Sequence, residues 1–400
     1  MVVGQFSQEV DVLVIGGGPA GYTAAFRAAE LQKTVAIVDP SDTLGGECLH
    51  QACIPSKASL LSIDFEKTQD MLGGALEKRC ASLGIERLCG HAHFENSKTA
   101  QITGEVVSVV KYRKAIIASG SQKRDSTSFP DAIQVEQIYS DTPVDTSILI
   151  VGNTQSAIEA ATLLCNNNTV LLWADGDILP TFNRKLVRLV ERPLSKRVTI
   201  CKDRPSAESF NLVVLAGHRQ PQTNSLQLEN AKVECSDGFI ITNDSCQTSN
   251  QKIYAIGECS GCEYSAALAI SQGRVAAEHA CGLDAHLDTT CIPQVVWSAP
   301  ELAQCGNFDP KNTVSVPWGN SGLALVLGQQ KGVTLLSFDP DTQAIVGIGI
   351  AGQGAIELIS EGVLALEMGA TLYDLAAVVR PHPSRSEMLS EAARIALASL

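Results

Sequence analysis

Two cysteines separated by four residues, Cys48 and Cys53, lie in the segment GGECLHQACIPSK at residues 45–57. In a reducing compartment, such a pair more often binds a metal or takes part in catalysis than forms a structural bridge. Positions i and i+5 diverge on a regular helix, so a disulfide between Cys48 and Cys53 requires a distorted turn. A strained and accessible disulfide is readily reduced, and a helix that begins here also favours the thiolate. The spacing therefore indicates a redox pair.

A second cysteine pair, Cys259 and Cys262 in the segment ECSGC, leaves zinc binding open as an alternative. Two such pairs supply the four thiolates that a structural zinc ion takes. The glycines before Cys48 and the IPSK segment after Cys53 have no role in a zinc site, so we favour the redox interpretation and predict no metal. We interpret Cys259 and Cys262 as incidental loop cysteines, with an auxiliary redox pair as the alternative.

The composition restricts the classes of function. The chain has 400 residues, of which 45% are apolar and 18% charged, as in a globular protein of several domains. Its net charge of −13 argues against nucleic acid as the main partner. No apolar run approaches the roughly 20 residues of a membrane span, and the segment MVVGQFSQEV has no signal-peptide character. The 13 cysteines are scattered, unlike those of a secreted disulfide framework. We expect a cytoplasmic protein.

The first 40 residues carry the pattern of a dinucleotide-binding unit. A short apolar strand, VDVLVI, leads into Gly16-x-Gly18-x-x-Gly21, then a helical pattern, then the strand TVAIV ending at Asp39. In such a unit the first glycine permits the tight turn and the second lets the pyrophosphate approach the backbone. The third allows helix and strand to pack closely, and the acid binds the ribose hydroxyls. Because strand, helix and acid occur in the right order, the pattern predicts nucleotide binding.

A second nucleotide-fold opening and a different C-terminal region follow. ILIVG at residues 148–152 precedes a helical pattern and the strand TVLLW, and FNLVVLAG and NQKIYAIGECSG supply further strands. In the last third, PQVVWSAP, LALVLG, VTLLSF and AIVGIGIAG are predicted strands, and FDPDTQ is a predicted hairpin turn. Two helical segments, IELISEGVLALEMG and SEMLSEAARIALASL, complete this region as an α+β unit.

These motifs together resemble the class I flavoprotein (pyridine nucleotide) disulfide oxidoreductases, from about residue 10 to about residue 390. Three stretches are most similar to the dihydrolipoamide dehydrogenase branch: CIPSK, IPQVVWSAPELAQCG and GATLYDLAAVVRPHPSRSE. The resemblance implies an α/β fold with two Rossmann-like nucleotide-binding domains plus a C-terminal α+β dimerisation domain. We place the FAD-binding domain at 1–145, completed by 246–285, a degenerate NAD-like domain at 146–245 and the interface domain at 286–400.

The resemblance also implies roles for individual residues. Cys48 would attack the substrate disulfide, and Cys53 would contact the flavin, with Lys57 near its ring. Glu258 stands where the family has an aspartate for the ribityl chain, so the charge is kept on an arm one methylene longer. The predicted cofactor-binding residues are Gly16, Gly18, Gly21, Asp39, Lys57, Ser119, Gly120, Gly257 and Glu258.

The segment RPHPSRSE contains the predicted general base. Thiol–disulfide exchange needs a group that takes and returns a proton, and imidazole titrates in the useful range. A carboxylate bonded to its far nitrogen fixes the tautomer and raises the basicity. By resemblance, His382 with Glu387 serves the cysteine pair of the other subunit, which predicts an obligate homodimer with shared active sites. His50, His91 and His93 are interpreted as structural or exposed.

The second nucleotide fold departs from the family where NAD binds. Its fingerprint reads Gly152-Asn153-Thr154-Gln155-Ser156-Ala157, so a β-branched Thr154 replaces the middle glycine. The following strand ends at Trp173, and Asp175 comes two residues late. The stretch from Asp177 to His218 is shorter than in the family.

We therefore predict an FAD-dependent dithiol–disulfide oxidoreductase with weak or absent NAD(P) binding, acting on a dithiol or disulfide of a small molecule or lipoyl protein. One alternative uses another electron partner, such as a quinone, oxygen or a protein. The other is a non-catalytic flavoprotein subunit, against which the intact set of Cys48, Cys53, His382 and Glu387 argues.

Overall fold

A computed structural model describes residues 6–104, 107–124, 128–217, 219–261 and 265–400. The strands in these ranges, numbered in chain order, are β1 (Phe6–Ile15), β2 (Val35–Asp39), β3 (Glu86–Cys89), β4 (His91–Asn96), β5 (Thr99–Thr103), β6 (Ser108–Ile117), β7 (Ser121–Lys123), β8 (Ile133–Gln134), β9 (Ser147–Val151), β10 (Thr169–Trp173), β11 (Val198–Cys201), β12 (Leu212–Leu215), β13 (Arg219–Pro221), β14 (Cys235–Ser236), β15 (Phe239–Ile240), β16 (Ile253–Ala255), β17 (Gln294–Val296), β18 (Leu302–Gly306), β19 (Thr313–Pro317), β20 (Val333–Phe338) and β21 (Ile345–Ala351).

The α-helices in the same ranges are α1 (Pro19–Glu30), α2 (Gly46–His50), α3 (Cys53–Leu61), α4 (Glu66–Ser82), α5 (Gln137–Ser140), α6 (Gln155–Leu164), α7 (Arg184–Leu194), α8 (Ala266–Ala280), α9 (Gly322–Val326), α10 (Ala355–Glu367), α11 (Leu372–Ala377) and α12 (Glu387–Ala398).

The chain forms two compact units. The first comprises Met1–Asp125, Tyr139–Asp141 and His218–Asp288, and the second comprises Ser126–Ile138, Thr142–Gly217 and Thr289–Leu400. The three domain ranges predicted from the sequence stay a prediction.

The first unit contains a seven-stranded sheet. Its order is β3-β2-β1-β6-β5-β4, with β16 also paired to β6, and β3, β2, β1, β6 and β16 run parallel. β2 is buried along its whole length, as expected for a parallel strand covered on both faces. Helices α1 and α8 pack closely because Gly273 has no side chain. A Cβ atom there would lie 2.5 Å from the carbonyl oxygen of Ala20.

The second unit contains two five-stranded sheets. The parallel sheet has the order β11-β10-β9-β12-β8, and the antiparallel sheet has the order β17-β18-β21-β20-β19. The antiparallel sheet packs with α10, α11 and α12 around a core that includes the fully buried Trp318, Ile348 and Ala392. This confirms the predicted fold class of Rossmann-like α/β cores followed by an α+β region.

The strand predicted for LALVLG, residues 323–328, is wrong. These residues lie in and just after α9, where the Ser321 hydroxyl accepts a hydrogen bond from the backbone N–H of Ala324 and so caps the helix. A short, continuous apolar run has no periodicity that distinguishes a strand from a helix. Leu325, Val326 and Leu327 are exposed, which a buried central strand would not allow.

Candidate active site

The glycine-rich turn after β1 has the geometry that its sequence predicts. Gly16 has a φ of +111°, and a Cβ atom there would lie 2.1 Å from the carbonyl oxygen of Ala118. A Cβ atom on Gly21 would lie 1.8 Å from the carbonyl oxygen of Gly16, so only glycine allows α1 to approach the turn. At Gly18 the nearest heavy atom to such a Cβ is 3.9 Å away, which leaves the turn open to a ligand on that side.

Asp39 supports this turn from the end of β2. It is buried, and its Oδ2 accepts a hydrogen bond from the backbone N–H of Gly17 at 2.6 Å. Its Oδ1 accepts from the N–H of Ser41 at 2.9 Å. The carboxylate therefore orders the loops on both sides, in addition to the ribose contact predicted for it.

A cavity of about 560 Å³ lies against the turn, within the volume range of cofactor sites. An open backbone cradle at Gly18, the buried Asp39 and the half-buried Glu258 in the lining fit a bound FAD. Among the predicted site residues, Gly21, Lys57, His382 and Glu387 are not part of the cavity lining. The predicted residues that line it are Gly16, Gly18, Asp39, Cys48, Cys53, Ser119, Gly120, Gly257 and Glu258.

The two cysteines lie on consecutive short helices. Cys48 is within α2, the backbone leaves helical geometry at Gln51 and Ala52, and α3 begins at Cys53. This break is the distorted turn that the spacing requires, and it brings the two side chains together. The Cys48 thiol is hydrogen-bonded to Cys53, both being thiols here.

Charge and burial around the pair shape its acidity. The hydrogen bond to Cys53 and then burial raise the pKa of Cys48, because two adjacent thiolates repel each other, while the Lys57 ammonium acts to lower it. Burial and the charges of both cysteines raise the pKa of Tyr22, which places this phenol near the pair. When both cysteines are reduced, the Cys48 thiol therefore stays protonated at pH values well above neutral.

Arg219 stands at the centre of a charged cluster beside the cavity. Its side chain is 10% exposed and forms ion pairs with Glu47 and, at 3.5 Å, with Glu258. Its Nε donates to the Ser121 hydroxyl at 2.6 Å, and that hydroxyl donates to Glu258. Arg219 therefore links Glu258, the acid predicted to bind the ribityl chain, to Glu47, the residue directly before Cys48.

Sequence reasoning missed Arg219 and Glu47. Glu47 directly precedes Cys48, so its position in the sequence could have identified it as a residue of the site. Arg219 reaches the cluster through antiparallel pairing of β13 with β7, in which Arg219 lies opposite Lys123. Strands of three residues separated by about a hundred positions give no detectable local pattern.

His50 was predicted to be structural or exposed, and it is half-buried. It lies between the two cysteines in the sequence and lines the cavity. Its Nδ1 lies 2.5 Å from Gln69 Nε2. Its Nε2 lies 3.3 Å from the Thr43 hydroxyl. These contacts fix the ring and anchor α2 to α4.

His382 and Glu387 form the predicted hydrogen bond in the second unit. His382 Nδ1 lies 2.8 Å from Glu387 Oε1, and Glu387 Oε2 accepts from the backbone N–H of Ser384 at 2.8 Å. The contacts with His382 and Ser384 lower the pKa of Glu387, so the carboxylate is ionised at neutral pH. The His382 side chain is 80% exposed.

The second nucleotide fold has a side chain at the middle position of its fingerprint turn. The Thr154 side chain contacts Gly217 at the end of the parallel sheet, so closely that a Cβ atom on Gly217 would lie 2.8 Å from the Thr154 methyl. At the end of β10, the Arg204 guanidinium stacks over Trp173 and Phe129. Lys202 and Asp177 form an exposed ion pair of 2.9 Å close by in the sequence. Weak or absent NAD(P) binding stays a prediction.

Cys259 is fully buried, with its thiol donating to the carbonyl of Ile256 at 3.2 Å. Burial raises its pKa, as expected of a structural cysteine. Cys262 lies outside the described residues. Within the described ranges, no cluster of three or more His, Cys, Asp or Glu side chains has the arrangement of a metal site.

A nucleotide cradle, a thiol pair on its wall and a separate α+β domain define an FAD-dependent disulfide oxidoreductase. Comparison with known proteins agrees. The family profile "Pyridine nucleotide-disulphide oxidoreductase" matches residues 10–202 and 196–280, and its dimerisation-domain profile matches residues 292–393.

Curated relatives include a dihydrolipoyl dehydrogenase from Bacillus subtilis, 30% identical over 468 residues that cover 100% of this chain and 99% of the relative. Another, from Geobacillus stearothermophilus, is 30% identical over 465 residues, 99% of this chain and 98% of the relative. Because 468 aligned positions contain only 400 residues of this chain, the relative has stretches that this chain lacks.

Solved structures support the fold. LpdA from Mycobacterium tuberculosis superimposes with a TM-score of 0.89 at 21% identity, covering 96% of this chain and 99% of that chain. A Cu(II) complex of RclA, an HOCl-induced flavoprotein disulfide reductase from Escherichia coli, gives 0.86 at 21%, covering 97% and 99%. The chain belongs to the pyridine nucleotide-disulphide oxidoreductase family.

Proposed function

We propose that this protein exchanges electrons between a dihydrolipoyl-type dithiol and FAD through Cys48 and Cys53. The observation that carries the proposal is the hydrogen-bonded Cys48–Cys53 pair on the wall of the nucleotide-sized cavity. The curated relatives are dihydrolipoyl dehydrogenases along their whole length, which supports this substrate class.

The chain's own residues have distinct parts in this reaction. The glycine-rich turn, Asp39 and Glu258 would hold FAD, which supplies a two-electron acceptor and donor when bound. In the direction that oxidises a dithiol, one substrate thiolate attacks Cys48 of the Cys48–Cys53 disulfide and releases the Cys53 thiolate. The second substrate thiol then displaces Cys48, which leaves the product as a disulfide and the pair as a dithiol; disulfide reduction is the reverse. The ammonium of Lys57 stabilises the thiolate that develops on this pair. His382, oriented by Glu387, takes and returns the proton of the substrate thiol.

We propose that the enzyme is a homodimer in which His382 of one chain serves the cysteine pair of the other. The matched dimerisation domain supports this assembly. The domain also exposes large apolar side chains, which a second copy of the chain would cover. They include Val326, Leu364, Met368, Tyr373 and Val379.

We propose that NAD(H) binds weakly, so that another electron partner completes the reaction. The contact between Thr154 and Gly217 and the stack on Trp173 favour this version. Anaerobic mixing with NADH should then reduce the flavin slowly, whereas dihydrolipoamide reduces it readily. Fast reduction by micromolar NADH would restore an ordinary dihydrolipoyl dehydrogenase.

The main proposal is tested with the purified protein. After denaturation, chromatography of the released chromophore should identify FAD; FMN or no flavin would contradict it. Anaerobic dihydrolipoamide should bleach the flavin in the wild type and in Cys201→Ser, a variant with a half-buried cysteine removed elsewhere. Cys48→Ser should keep its flavin and lose turnover with disulfides. Retained turnover in Cys48→Ser would refute the assigned roles.

We propose a cytoplasmic location, which the scattered cysteines and the redox chemistry support. Across the described part of the chain, no helix combines the length and the apolar character needed to cross a membrane.

A further inference from the structure

The segment between α11 and α12 carries His382, and Arg380 anchors it. From Val378 to Pro383 every residue except Arg380 is exposed, with Val379 at 96%. The apolar side chains of this segment therefore do little to fix it against the core. The Arg380 side chain is only 5% exposed, so its polar contacts decide how the segment is held.

Two helices hold the Arg380 guanidinium. Its Nη1 and Nη2 donate to the two carboxylate oxygens of Glu361 on α10, each at 2.6 Å. Its Nε donates to the Ser390 hydroxyl on α12 at 2.5 Å, and this hydroxyl donates to the backbone carbonyl of Leu375 on α11 at 2.9 Å. A planar guanidinium with two nitrogens on one carboxylate has a fixed direction as well as a fixed position.

Arg380 lies close to the hydrogen-bonded pair of His382 and Glu387. Glu387 is the first residue of α12, and Ser390 follows three positions later, so the two side chains are neighbours on one face of the helix. Arg380 therefore contacts α12 about one turn from Glu387, and it precedes His382 by two residues. The hydrogen bond from His382 does most to lower the pKa of Glu387, and the charge of Arg380 acts in the same direction.

The bond between Glu387 and His382 determines which ring nitrogen can act as a base. An ionised carboxylate only accepts hydrogen bonds, so Nδ1 of His382 carries the proton in the 2.8 Å contact with Glu387. The lone pair of the neutral ring is then on Nε2. If the carboxylate moved away, nothing in this contact would hold the ring in that tautomer.

We propose that Arg380 is a positioning residue for the proton exchange at His382. Its bonds to Glu361 and Ser390 hold the segment against α12. Glu387 then meets the ring at Nδ1, and Nε2 is left to take the proton of the thiol. The role of Arg380 rests on the proposed role of His382 in the reaction. Lysine at position 380 would keep the charge but lose the planar fork that this geometry uses.

The kinetic test is stopped-flow reduction of the flavin by dihydrolipoamide in the holoprotein. In Arg380→Lys the limiting rate should fall about ten- to a hundredfold, because a small displacement of a reacting group is costly. The half-saturating dithiol concentration should change less than about twofold, because Arg380 does not touch the substrate. Arg394→Lys is the matched control on α12, since Arg394 is 59% exposed and pairs with Glu391 at 3.3 Å. It should keep both values.

The same substitution in the His382→Ala background separates positioning from general damage. A residue that acts through His382 should have no further effect once His382 is gone. Equal slowing by Arg380→Lys in both backgrounds would overturn the proposal. Normal exchange in His382→Ala would instead refute the proposed role of His382, and the inference with it. Slow exchange in His382→Ala with a normal rate in Arg380→Lys would overturn the inference alone.

A spectroscopic test needs no turnover. With ¹⁵N-labelled histidine, long-range ¹H–¹⁵N correlations show which nitrogen of a neutral ring carries the proton, and the signals of His382 are those absent from His382→Ala. The wild-type ring should carry its proton on Nδ1. Arg380→Lys should move the ring towards a mixture of tautomers, and Arg394→Lys should not. A wild-type ring protonated mainly on Nε2, a result that needs no Arg380 variant to fold, would overturn the proposal.

Discussion

Replacement of Arg219 by methionine should destabilise the first unit, because it removes a side-chain cation that forms ion pairs with both Glu47 and Glu258. Methionine keeps the length and apolar stem of arginine, so lost packing contributes little. Truncating one partner of a buried ion pair costs about 3–5 kcal/mol. Glu47 and Glu258 are 36% and 24% exposed, so solvent screens part of this. We expect a loss of about 2–3 kcal/mol in the free energy of unfolding.

The measurement is urea denaturation at neutral pH, followed by a signal from the FAD domain such as flavin release. Arg113→Met is a matched control in the same unit, since Arg113 is 75% exposed and its pair with Asp11 is 3.4 Å long. That variant should stay within about 0.5 kcal/mol of the wild type. Adding Glu47→Gln to Arg219→Met should recover part of the loss. If Arg219→Met is as stable as Arg113→Met, the cluster does not hold the site together.

Three further predictions follow from the site and the core. His382→Ala should slow thiol–disulfide exchange on the order of a hundredfold with normal FAD content; mixed dimers with Cys48→Ser chains should regain partial activity, and no recovery would mean that each chain works alone. The free energy of unfolding should fall as pH rises from 8.5, because Cys305 has its pKa raised to about 12 in the folded state and ionises first in the unfolded chain. The loss from this cysteine is about 2 kcal/mol at pH 10, and Cys305→Val should remove it in denaturation curves at pH 8 and 10. Thr154→Gly should speed flavin reduction by NADH about tenfold in stopped-flow mixing, because backbone N–H groups become accessible to the pyrophosphate; an unchanged rate would locate the obstacle elsewhere, as at Trp173.

The sequence predicts best those elements whose signal is local. TVLLW coincides with β10 and VTLLSF with β20, because each is an apolar run bounded by turn residues. The hydrogen bond between His382 and Glu387 was expected from the resemblance of RPHPSRSE to the family motif, and the structure contains it. LALVLG was predicted wrongly because an apolar run at the surface of a dimerisation domain has the composition of a buried strand.

The parts that could not be predicted depend on contacts between distant segments. Arg219 reaches Glu47 across 172 positions, through a ribbon of two three-residue strands. The register of the parallel sheet in the second unit, in which Leu212 lies opposite Ile148, likewise depends on pairing between distant segments. Such registers follow from side-chain burial on the assembled sheet, and a single sequence does not record them.

The two compact units are interleaved along the chain. The backbone passes from one to the other after residues 125, 138, 141, 217 and 288, and Arg219 lies just beyond the fourth of these crossings. Neither unit can therefore be released by a single proteolytic cut, and neither can be expressed as one continuous fragment. A nick at the first crossing divides the first unit between the two products and leaves the second unit whole in the C-terminal one, so the products remain associated as long as β6 stays paired with β16. The natural way to shorten such a protein is to delete residues between two crossings, inside a stretch such as Thr142–Gly217, where the loss is confined to one unit.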